Sequence, residues 1–381
     1  MGALAIVDLF RYKPRGLLEA ALILGSLLPP PPGTESAVKV AEQSGRNSPT
    51  SVGAPVARAR FLMGTVFTFE APSGRDPRAA AELLEGALDE VERLEKILSN
   101  WRSESEVSHL NREGADHSVR VSQELYEVIE ASLRWARETG GAFDPTVEPL
   151  TRVNRCTGAA AATDAGVTMG RGREPRGDWR GVELIPGART VRFRGGVAGI
   201  DLGGIGKGFA LDRAAEFLRA RGIVRALLDA GGQVLAVGAP PGEDGWRVGV
   251  ADAVDRFRPT IPLLLRDVSA ATSGNSERPS EIFDPAKGTP VLSRGSATAI
   301  APDATSADAL STALFVMGPS KGVRWGRNRR DLVVIYLEPA SSAGGFPRVL
   351  STANSAEGPE FALRVSSRAQ KERRILDVRP W

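Results

Sequence analysis

The sequence predicts an α+β fold in which mixed or antiparallel sheets are flanked by helices. Two long segments, 79–98 and 122–139, have the apolar spacing of helices that pack one face against a core. Between residues 190 and 250, short apolar runs are separated by glycine turns, as is typical of strands. Strands and helices follow one another without strict alternation, which favours α+β over a doubly wound parallel sheet.

The predicted helices are supported by their apolar stripes. The first helix, 79–98, has its stripe at Leu84, Leu88, Val91, Leu94 and Leu98. The second, 122–139, has its stripe at Leu125, Val128, Ile129 and Leu133, and Gly140 suits its C-terminal cap. Two more helices are predicted at 208–221 and 306–317.

The predicted strands are short apolar runs bounded by turn residues. They lie at 61–70, 190–193, 197–202, 224–229, 233–237, 246–250, 297–301 and 331–337. The Gly-, Ala- and Arg-rich stretch 155–178 is predicted to be a surface loop.

The chain divides into four predicted parts: an N-terminal segment (1–32), a flexible linker (33–58), one catalytic domain (59–365) and a charged tail (366–381). The first part combines Arg11, Lys13 and Arg15 with the apolar run 17–28 and four prolines at 29–32. This order is typical of a signal peptide or N-terminal anchor, and a chance apolar helix is the alternative. It predicts an exported protein, periplasmic or membrane-associated on the extracytoplasmic side.

Composition limits the chemistry. The 49 basic and 46 acidic residues give a net charge of only +3, which argues against nucleic acid as the main partner. One cysteine, Cys156, excludes an internal disulfide, and the two histidines, His109 and His117, are too few for a His-rich metal site. A bound metal must therefore be held mainly by oxygen, which favours magnesium, calcium or manganese.

Two motifs can carry phosphate or metal chemistry. Asp201–Gly208 (DLGGIGKG) lies at a strand-to-helix junction, where backbone amides and Lys207 can meet a phosphate, but a tight structural turn explains it as well. Asp308 and Thr312 are one helical turn apart and share a face, so they can supply two oxygen ligands to a hard cation. The alternative for this pair is an ordinary helix N-terminus with Asp308 favouring the dipole.

Two further motifs are glycine-rich turns. Gly140–Thr146 (GGAFDPT) combines a glycine pair with an Asp-Pro turn, and Thr272–Asn275 (TSGN) is followed by Glu281–Pro285 (EIFDP). Small residues there let a flat ring or a phosphate come close, although turn chemistry alone also accounts for them.

The joint order of these motifs resembles the ApbE family, the FAD:protein FMN transferases. The similarity spans about 61–365. The matching positions are Met63-Gly64-Thr65, Leu98-Ser99, Ser105-Glu106-Val107, Asn111, Gly140–Thr146, Asp201–Asp212, Gly231-Gly232, Trp246, Thr272-Ser273-Gly274, Asp284-Pro285, Gly288 and Ala307–Thr312.

The resemblance implies an α+β fold around an FAD cleft. It implies that Mg²⁺ is held by Asp308, Thr312 and the backbone carbonyl of Gly206. It places FAD contacts at Met63, Trp101, Ala142, Phe143, Asp144, Thr272 and Ile282.

The implied reaction is phosphoryl transfer: a Thr or Ser hydroxyl of an acceptor protein, predicted to belong to a membrane redox complex, takes FMN from FAD and AMP leaves. Lys207 and Glu281 are the predicted catalytic residues. Glu281 stands where the family usually has His, the segment between Gly274 and Glu281 is short, and Gln233 replaces the usual Asp or Asn. These departures keep two alternatives open, namely a magnesium-dependent FAD pyrophosphatase and a non-catalytic flavin-binding protein.

Overall fold

The α+β prediction is confirmed by a computed structural model of the chain. The structure describes residues 54–157, 177–253, 259–275, 281–293, 295–339, 348–352, 364–365 and 376–378. Within these ranges the α-helices are α1 (Pro77–Leu98), α2 (Glu106–Glu113), α3 (Gln123–Glu138), α4 (Glu148–Thr157), α5 (Gly206–Arg219), α6 (Ala304–Met317) and α7 (Pro319–Gly326).

The strands in the described ranges form four sheets. They are β1 (Val56–Leu62), β2 (Thr65–Ala71), β3 (Val119–Arg120), β4 (Val182–Ile185), β5 (Thr190–Phe193), β6 (Ala226–Ala230), β7 (Gln233–Val237), β8 (Trp246–Ala251), β9 (Pro259–Leu265), β10 (Val268–Gly274), β11 (Phe283–Asp284), β12 (Thr289–Pro290), β13 (Ser296–Ala301), β14 (Val333–Glu338), β15 (Arg348–Ser351), β16 (Arg364–Val365) and β17 (Leu376–Val378).

The largest sheet carries the main core. Its eight strands are ordered β1-β2-β6-β7-β10-β13-β14-β15, and every neighbouring pair is antiparallel. Three smaller sheets have the orders β3-β5-β4, β11-β12 and β16-β17-β9-β8, and in the last of these β17 runs parallel to β9.

Helices α1, α5 and α6 pack around the main sheet and position the site. The predicted stripe of α1 is buried, and the side chain of Asp76 caps the helix by accepting the N–H groups of Arg78 and Ala79. Helix α6 is apolar on most sides, and its residues from Ala304 to Ser311 are all buried. A helix surrounded in this way is held by packing along its whole length, so its few polar side chains have fixed positions.

The predicted first strand, 61–70, is wrong because a hairpin turn interrupts it. Met63 and Gly64 both have positive φ, 49° and 76°, and they connect β1 to β2. A two-residue turn of this kind matches the right-handed twist of the paired strands. Strand β1 begins at Val56, so it enters the predicted linker 33–58.

The predicted strand 197–202 is also wrong. The peptide groups of Ile200 are bound by side chains: the amides of Asn100 and Asn111 donate to its carbonyl at 3.0 and 2.9 Å, and its N–H donates to Asn111 at 2.8 Å. Asparagine side chains here take the place of a neighbouring strand.

Three other elements differ from the sequence prediction. Helix α4 continues to Thr157, so residues 155–157 of the predicted loop 155–178 are helical, and residues 158–176 lie outside the described ranges. Helix α2 was not predicted, although Ser105 caps it by accepting the N–H of Ser108. In the predicted tail, Leu376–Val378 pairs with β9.

In the part of the chain that the structure describes, no helix has both the length and the apolar content needed to cross a membrane. The predicted N-terminal segment, 1–32, lies outside that part.

Candidate active site

The N-terminal ends of α5 and α6 lie against each other, and this contact builds the site. Gly208, in the first turn of α5, has no room for a side chain, because an added Cβ would overlap the carbonyl oxygen of Ala304 and lie 2.9 Å from the Cβ of Asp308. Glycine therefore allows the two helices to approach closely enough for a backbone amide of one to reach a carboxylate of the other.

Asp212, in the second turn of α5, stabilises this contact by hydrogen bonding to the start of α6. Its carboxylate accepts the N–H groups of Ala304 and Thr305, both at 2.8 Å, and the Thr305 hydroxyl at 2.5 Å. It thus caps the start of α6 together with Asp303, which accepts the N–H of Ser306 at 2.7 Å. Burial raises the pKa of Asp212 to about 6, although its hydrogen bonds act in the opposite direction.

Asp308 is the buried carboxylate of the site. Its side chain projects from α6 toward the first turn of α5 and is only 4% exposed. One oxygen accepts the N–H of Gly208 at 3.0 Å, and the other lies 3.4 Å from the ammonium of Lys207. A positive side chain and the positive end of α5 therefore stabilise the charge of Asp308.

Thr312 lies one turn further along α6, on the face of Asp308. Its hydroxyl is 3.4 Å from that of Ser273 on β10, which in turn lies 2.8 Å from the hydroxyl of Ser311. An added Cβ at Gly204 would lie 3.1 Å from the Thr312 hydroxyl and 3.3 Å from the ring of Phe143. Hydroxyl oxygens, a glycine backbone and an aromatic edge thus meet beside the buried carboxylate.

The glycine turn that precedes α5 is held by side chains. Asp201 accepts the N–H of Gly203 at 2.7 Å and the Thr151 hydroxyl at 2.6 Å, and the ammonium of Lys207 reaches back to the Gly203 carbonyl at 3.3 Å. Gly206 begins α5, two residues earlier than the sequence predicted. The predicted metal residues Gly206, Asp308 and Thr312 and the predicted catalytic Lys207 therefore belong to one helix–helix junction.

The loop with Ala142, Phe143 and Asp144 forms a wall of this region. All three residues are buried. The carboxylate of Asp144 accepts the N–H and hydroxyl of Thr146, at 2.8 and 2.6 Å, and the N–H of Trp179 at 3.3 Å. Burial raises the pKa of the Asp144 carboxyl, whereas its hydrogen bonds lower it. In this structure Asp144 holds the loop itself together.

The turn with Glu281 and Ile282 is connected to the same wall through Pro285 and Gly177. Glu281 is exposed and Ile282 is half-buried. The neighbouring Asp284 accepts the backbone N–H of Ala286 at 3.0 Å, and the carbonyl of Pro285 accepts the N–H of Gly177 at 3.2 Å. Gly177 lies directly against Asp144, because an added Cβ would be 2.6 Å from its carboxylate oxygen.

The other predicted FAD contacts differ in exposure. Met63, in the β1–β2 turn, is half-buried, whereas Trp101 is 71% exposed in the loop between α1 and α2. Thr272 is exposed, and its hydroxyl lies 2.8 Å from that of Thr298. Thr65, which follows the β1–β2 turn, lies against the glycine pair Gly231-Gly232, because a Cβ added at Gly231 would overlap the Thr65 hydroxyl.

Sequence reasoning did not list three residues that shape the site. Ser273 and Asp212 lay inside the matching motifs but had no predicted role. Gln233 was noted only as a departure, yet its buried amide donates to the carbonyl of Ala304 at 2.8 Å, at the start of α6. A polar residue within an apolar strand such as β7 is a usable signal, because a buried amide needs a partner.

Solved structures share this arrangement of sheets and helices. The flavin transferase ApbE from Vibrio cholerae superposes with a TM-score of 0.66 at 22% identity, covering 78% of this chain and 97% of that one. The ApbE protein from Thermotoga maritima superposes with a TM-score of 0.63 at 30% identity, covering 74% of this chain and 94% of that one. These superpositions show that the chain has the α+β fold of ApbE proteins.

Sequence comparison gives the family. A family model described as the ApbE family matches residues 63–336. A Treponema pallidum protein named FAD:protein FMN transferase is 30% identical over 320 residues, 77% of this chain and 88% of the relative. An Escherichia coli K12 protein of that name is 26% identical over 290 residues, 72% and 81% of the two chains. The chain belongs to the ApbE family, a family of transferases, which confirms the resemblance.

Proposed function

We propose that this chain transfers the FMN half of FAD to a Thr or Ser hydroxyl of an acceptor protein in a magnesium-dependent reaction that releases AMP. One observation carries the proposal: the buried carboxylate of Asp308 and the hydroxyl of Thr312 face the positive end of α5. A relative named FAD:protein FMN transferase matches 77% of the chain, and the ApbE family model, which matches residues 63–336, spans this junction.

The donor set fits Mg²⁺. Asp308, Thr312 and the carbonyl of Gly206 would supply a carboxylate, a hydroxyl and a peptide oxygen, which are the hard ligands that Mg²⁺ prefers. Asp308 is buried yet has one oxygen facing Lys207, so that oxygen already accepts a cationic partner. Within the described residues no cluster of three His, Cys, Asp or Glu side chains offers a competing site.

The protein would contribute to the reaction by positioning FAD and by supplying positive charge to its phosphates. When bound, Mg²⁺ would neutralise the diphosphate of FAD and favour departure of AMP. The amides at the start of α5 and the ammonium of Lys207 would hold phosphate oxygens, since a helix N-terminus favours negative charge. The hydroxyl of Ser273 lies close enough to that of Thr312 to fix its orientation.

The transfer itself moves one phosphoryl group. The acceptor hydroxyl oxygen forms a bond to the phosphorus on the FMN side, and the bond from that phosphorus to the bridging oxygen breaks. The bridging oxygen leaves with AMP, and FMN remains as a phosphoester. Glu281 would take the hydroxyl proton, and its exposed position suits a group that must meet a second protein.

Flavin binding falls to the residues around this junction. Phe143 and Ala142 offer a buried apolar wall, Met63 and Ile282 offer half-buried apolar contacts, and the exposed ring of Trp101 would stack on the flavin. The hydroxyl of Thr272 and the loop of Asp144 would complete the contacts. The proposed FAD-binding residues are thus Met63, Trp101, Ala142, Phe143, Asp144, Thr272 and Ile282.

The cellular setting is part of the proposal. The basic segment, apolar run and prolines within residues 1–32 support export, with the protein periplasmic or held at the extracytoplasmic side of a membrane. An acceptor in a membrane redox complex would then lie in the same compartment.

One incubation tests the proposal. The full chain is mixed with FAD and Mg²⁺, with and without a candidate acceptor protein, and both AMP and protein-bound flavin are measured. We expect flavin on the acceptor and an equal amount of AMP, with both lost when EDTA removes the metal. Intact FAD under all conditions, with an acceptor that a homologous transferase flavinylates in parallel, would contradict the proposal.

The same incubation distinguishes the transferase from an FAD pyrophosphatase. Because Glu281 is exposed, water can reach it as readily as an acceptor hydroxyl can. Release of AMP and free FMN at the same rate with and without acceptor would identify water as the nucleophile. FAD that binds but stays intact would instead identify a flavin-binding protein.

A further inference from the structure

A tryptophan with arginines stacked on it lies beside the candidate site. The guanidinium of Arg180 lies 4.6 Å from the centre of the Trp179 ring, and that of Arg137 lies 6.0 Å from it. One turn before Arg137 on α3, Arg134 stacks on Trp135 at 4.9 Å. All three arginines are exposed, so their charges face solvent while their planar groups are held by the rings.

The basic surface continues onto α7. The indole N–H of Trp325 donates to the carbonyl of Glu138 at the end of α3, and Arg329 pairs with the Glu138 carboxylate at 2.7 Å. Lys321 lies one turn before Trp325 on α7 and is exposed. We call this surface the arginine face; its cations are Arg134, Arg137, Arg180 and Arg329, each over a tryptophan ring, together with Lys321 on α7.

The charge of the arginine face is only partly balanced. Two carboxylates lie beside these cations: Glu138 pairs with Arg329, and Asp178 lies at the longer distance of 4.0 Å from Arg180. The face therefore has five cations and two carboxylates paired with them, although the whole chain has nearly equal numbers of basic and acidic residues.

The arginine face adjoins the wall of the candidate site. The N–H of Trp179 donates to Asp144, and that of Asp178 donates to the Thr146 hydroxyl at 2.7 Å. An added Cβ at Gly141 would lie 3.6 Å from the indole nitrogen of Trp179. The same loop carries Phe143, whose ring lies beside Gly204 and Thr312. A partner bound to the face is therefore next to the site.

We propose that the arginine face binds an acidic segment of the flavin-acceptor protein and so delivers the acceptor hydroxyl to the site. This inference rests on the proposed function, because it names the partner of that reaction by its chemistry. Exposed guanidiniums that lie over aromatic rings keep their N–H groups available for two-point hydrogen bonding to carboxylates. Their mutual repulsion decreases when an acidic segment binds, and this gives the partner its selectivity.

A protein partner fits this surface better than a membrane does. Trp179 and Trp325 are half-buried and covered by arginines, so they do not protrude as the aromatic residues of an interfacial membrane anchor do. The connection to the Asp144 loop also brings the face to the place where an acceptor hydroxyl must arrive.

Two matched charge reversals test the inference. R137E/R180E alters the arginine face. R219E/R225E alters the same number of exposed arginines at the C-terminal end of α5, about 20 Å from its start. Arg137 and Arg219 each lie in the last turn of their helix, so the effects on folding should be similar. The probes are twelve-residue peptides with one central threonine, flanked by glutamate in one peptide and by glutamine in the other.

Peptide binding is measured by fluorescence anisotropy and transfer by covalent flavin on the peptide. We expect the wild-type protein to bind the glutamate peptide at least about tenfold more tightly than the glutamine peptide at low salt, with the difference lost at about 0.5 M NaCl. R137E/R180E should lose this preference through a higher KM at similar kcat, whereas R219E/R225E should keep it.

Three results would overturn the inference: equal binding of both peptides by the wild-type protein, an unchanged preference in R137E/R180E, or binding to phosphatidylglycerol vesicles that requires Arg137 and Arg180 without binding of the glutamate peptide. Failure of the transferase proposal looks different. In that case the glutamate peptide binds selectively and no flavin is transferred, so the face stands as a binding surface.

Discussion

The two sides of the candidate site are built in contrasting ways. On the side proposed to hold the metal (the metal side), Asp308 is buried and held by a backbone amide and Lys207, and its helix is fixed to α5 by Asp212. On the side proposed to meet the acceptor (the acceptor side), Glu281 and Trp101 are exposed. The metal side thus depends on packing that a single methyl group can disturb, whereas the acceptor side depends on chemistry at the surface. Changes on the first side should affect folding and activity together, and changes on the second should affect activity alone.

The largest effect is expected for Asp308→Ala. Loss of the buried carboxylate removes the proposed main metal ligand and leaves Lys207 without its partner at this position. We expect transfer activity to fall about 10³-fold, or about 4 kcal/mol in activation free energy. Steady-state rates across a magnesium titration measure this. Full magnesium-dependent activity would show that the metal binds elsewhere, and Asp331→Asn on the surface is the control.

Gly208→Ala should disturb the same side through packing. The added methyl group overlaps the Ala304 carbonyl and forces α5 and α6 apart. We expect the free energy of unfolding to fall by about 3 kcal/mol, measured by urea denaturation. Gly187→Ala, at a turn with open space around the added Cβ, is the matched control and should change it little. A stable, fully active Gly208→Ala protein would mean that the helix contact is not needed.

Glu281→Gln tests the acceptor side. If Glu281 takes the proton of the acceptor hydroxyl, kcat should fall about 10²-fold while the melting temperature and FAD affinity stay constant. Glu281→His, which restores the residue usual in the family, should recover activity with a changed pH profile. Equal rates for all three proteins would remove Glu281 from the mechanism.

Asp212→Asn should have a smaller, pH-dependent effect. An amide cannot accept all three hydrogen bonds, so we expect a loss of about 1–2 kcal/mol in unfolding free energy. The pKa of Asp212 is raised in the folded state to about 6, so its proton stabilises the fold at low pH, and this contribution is lost as pH rises through 6. The difference between wild type and variant should therefore be larger at pH 4.5 than at pH 7.5 in urea unfolding. A stability difference between the two proteins that does not change with pH would contradict the raised pKa of Asp212. The nearby Asp303 is present in both proteins, so its charge does not contribute to the difference.

The smallest effect is expected for Trp101→Ala. The ring is 71% exposed in this structure, so its removal costs the fold little. Loss of stacking on the flavin should raise the KM for FAD several-fold, about 1 kcal/mol, with kcat unchanged. Trp101→Tyr should restore binding. An unchanged KM in Trp101→Ala would place the flavin away from this loop.

The sequence predicted the fold class and the shared helix face of Asp308 and Thr312 because both follow from local patterns. The stripe of α1 is a property of one segment, and the spacing of Asp308 and Thr312 is one helical turn. The sequence missed β9 and β10 as strands, because Pro259, Pro262 and Ser269 interrupt an apolar pattern that is completed only by pairing with β8 and β13. It also gave no role to Asp212, whose partners Ala304 and Thr305 are more than 90 positions away.

The hydrogen bonds of Asn100 and Asn111 to the peptide groups of Ile200 determine whether the entropy of ordering this loop is lost on folding or on substrate binding. A glycine-rich loop that became ordered only when substrate arrived would subtract that entropy from the binding free energy. Here Asn100 and Asn111 fix the peptide group that leads into the loop, and Asp201 fixes the next turn. The conformational entropy of this backbone is thus lost during folding, so under the proposed function the binding energy of the diphosphate would remain for catalysis.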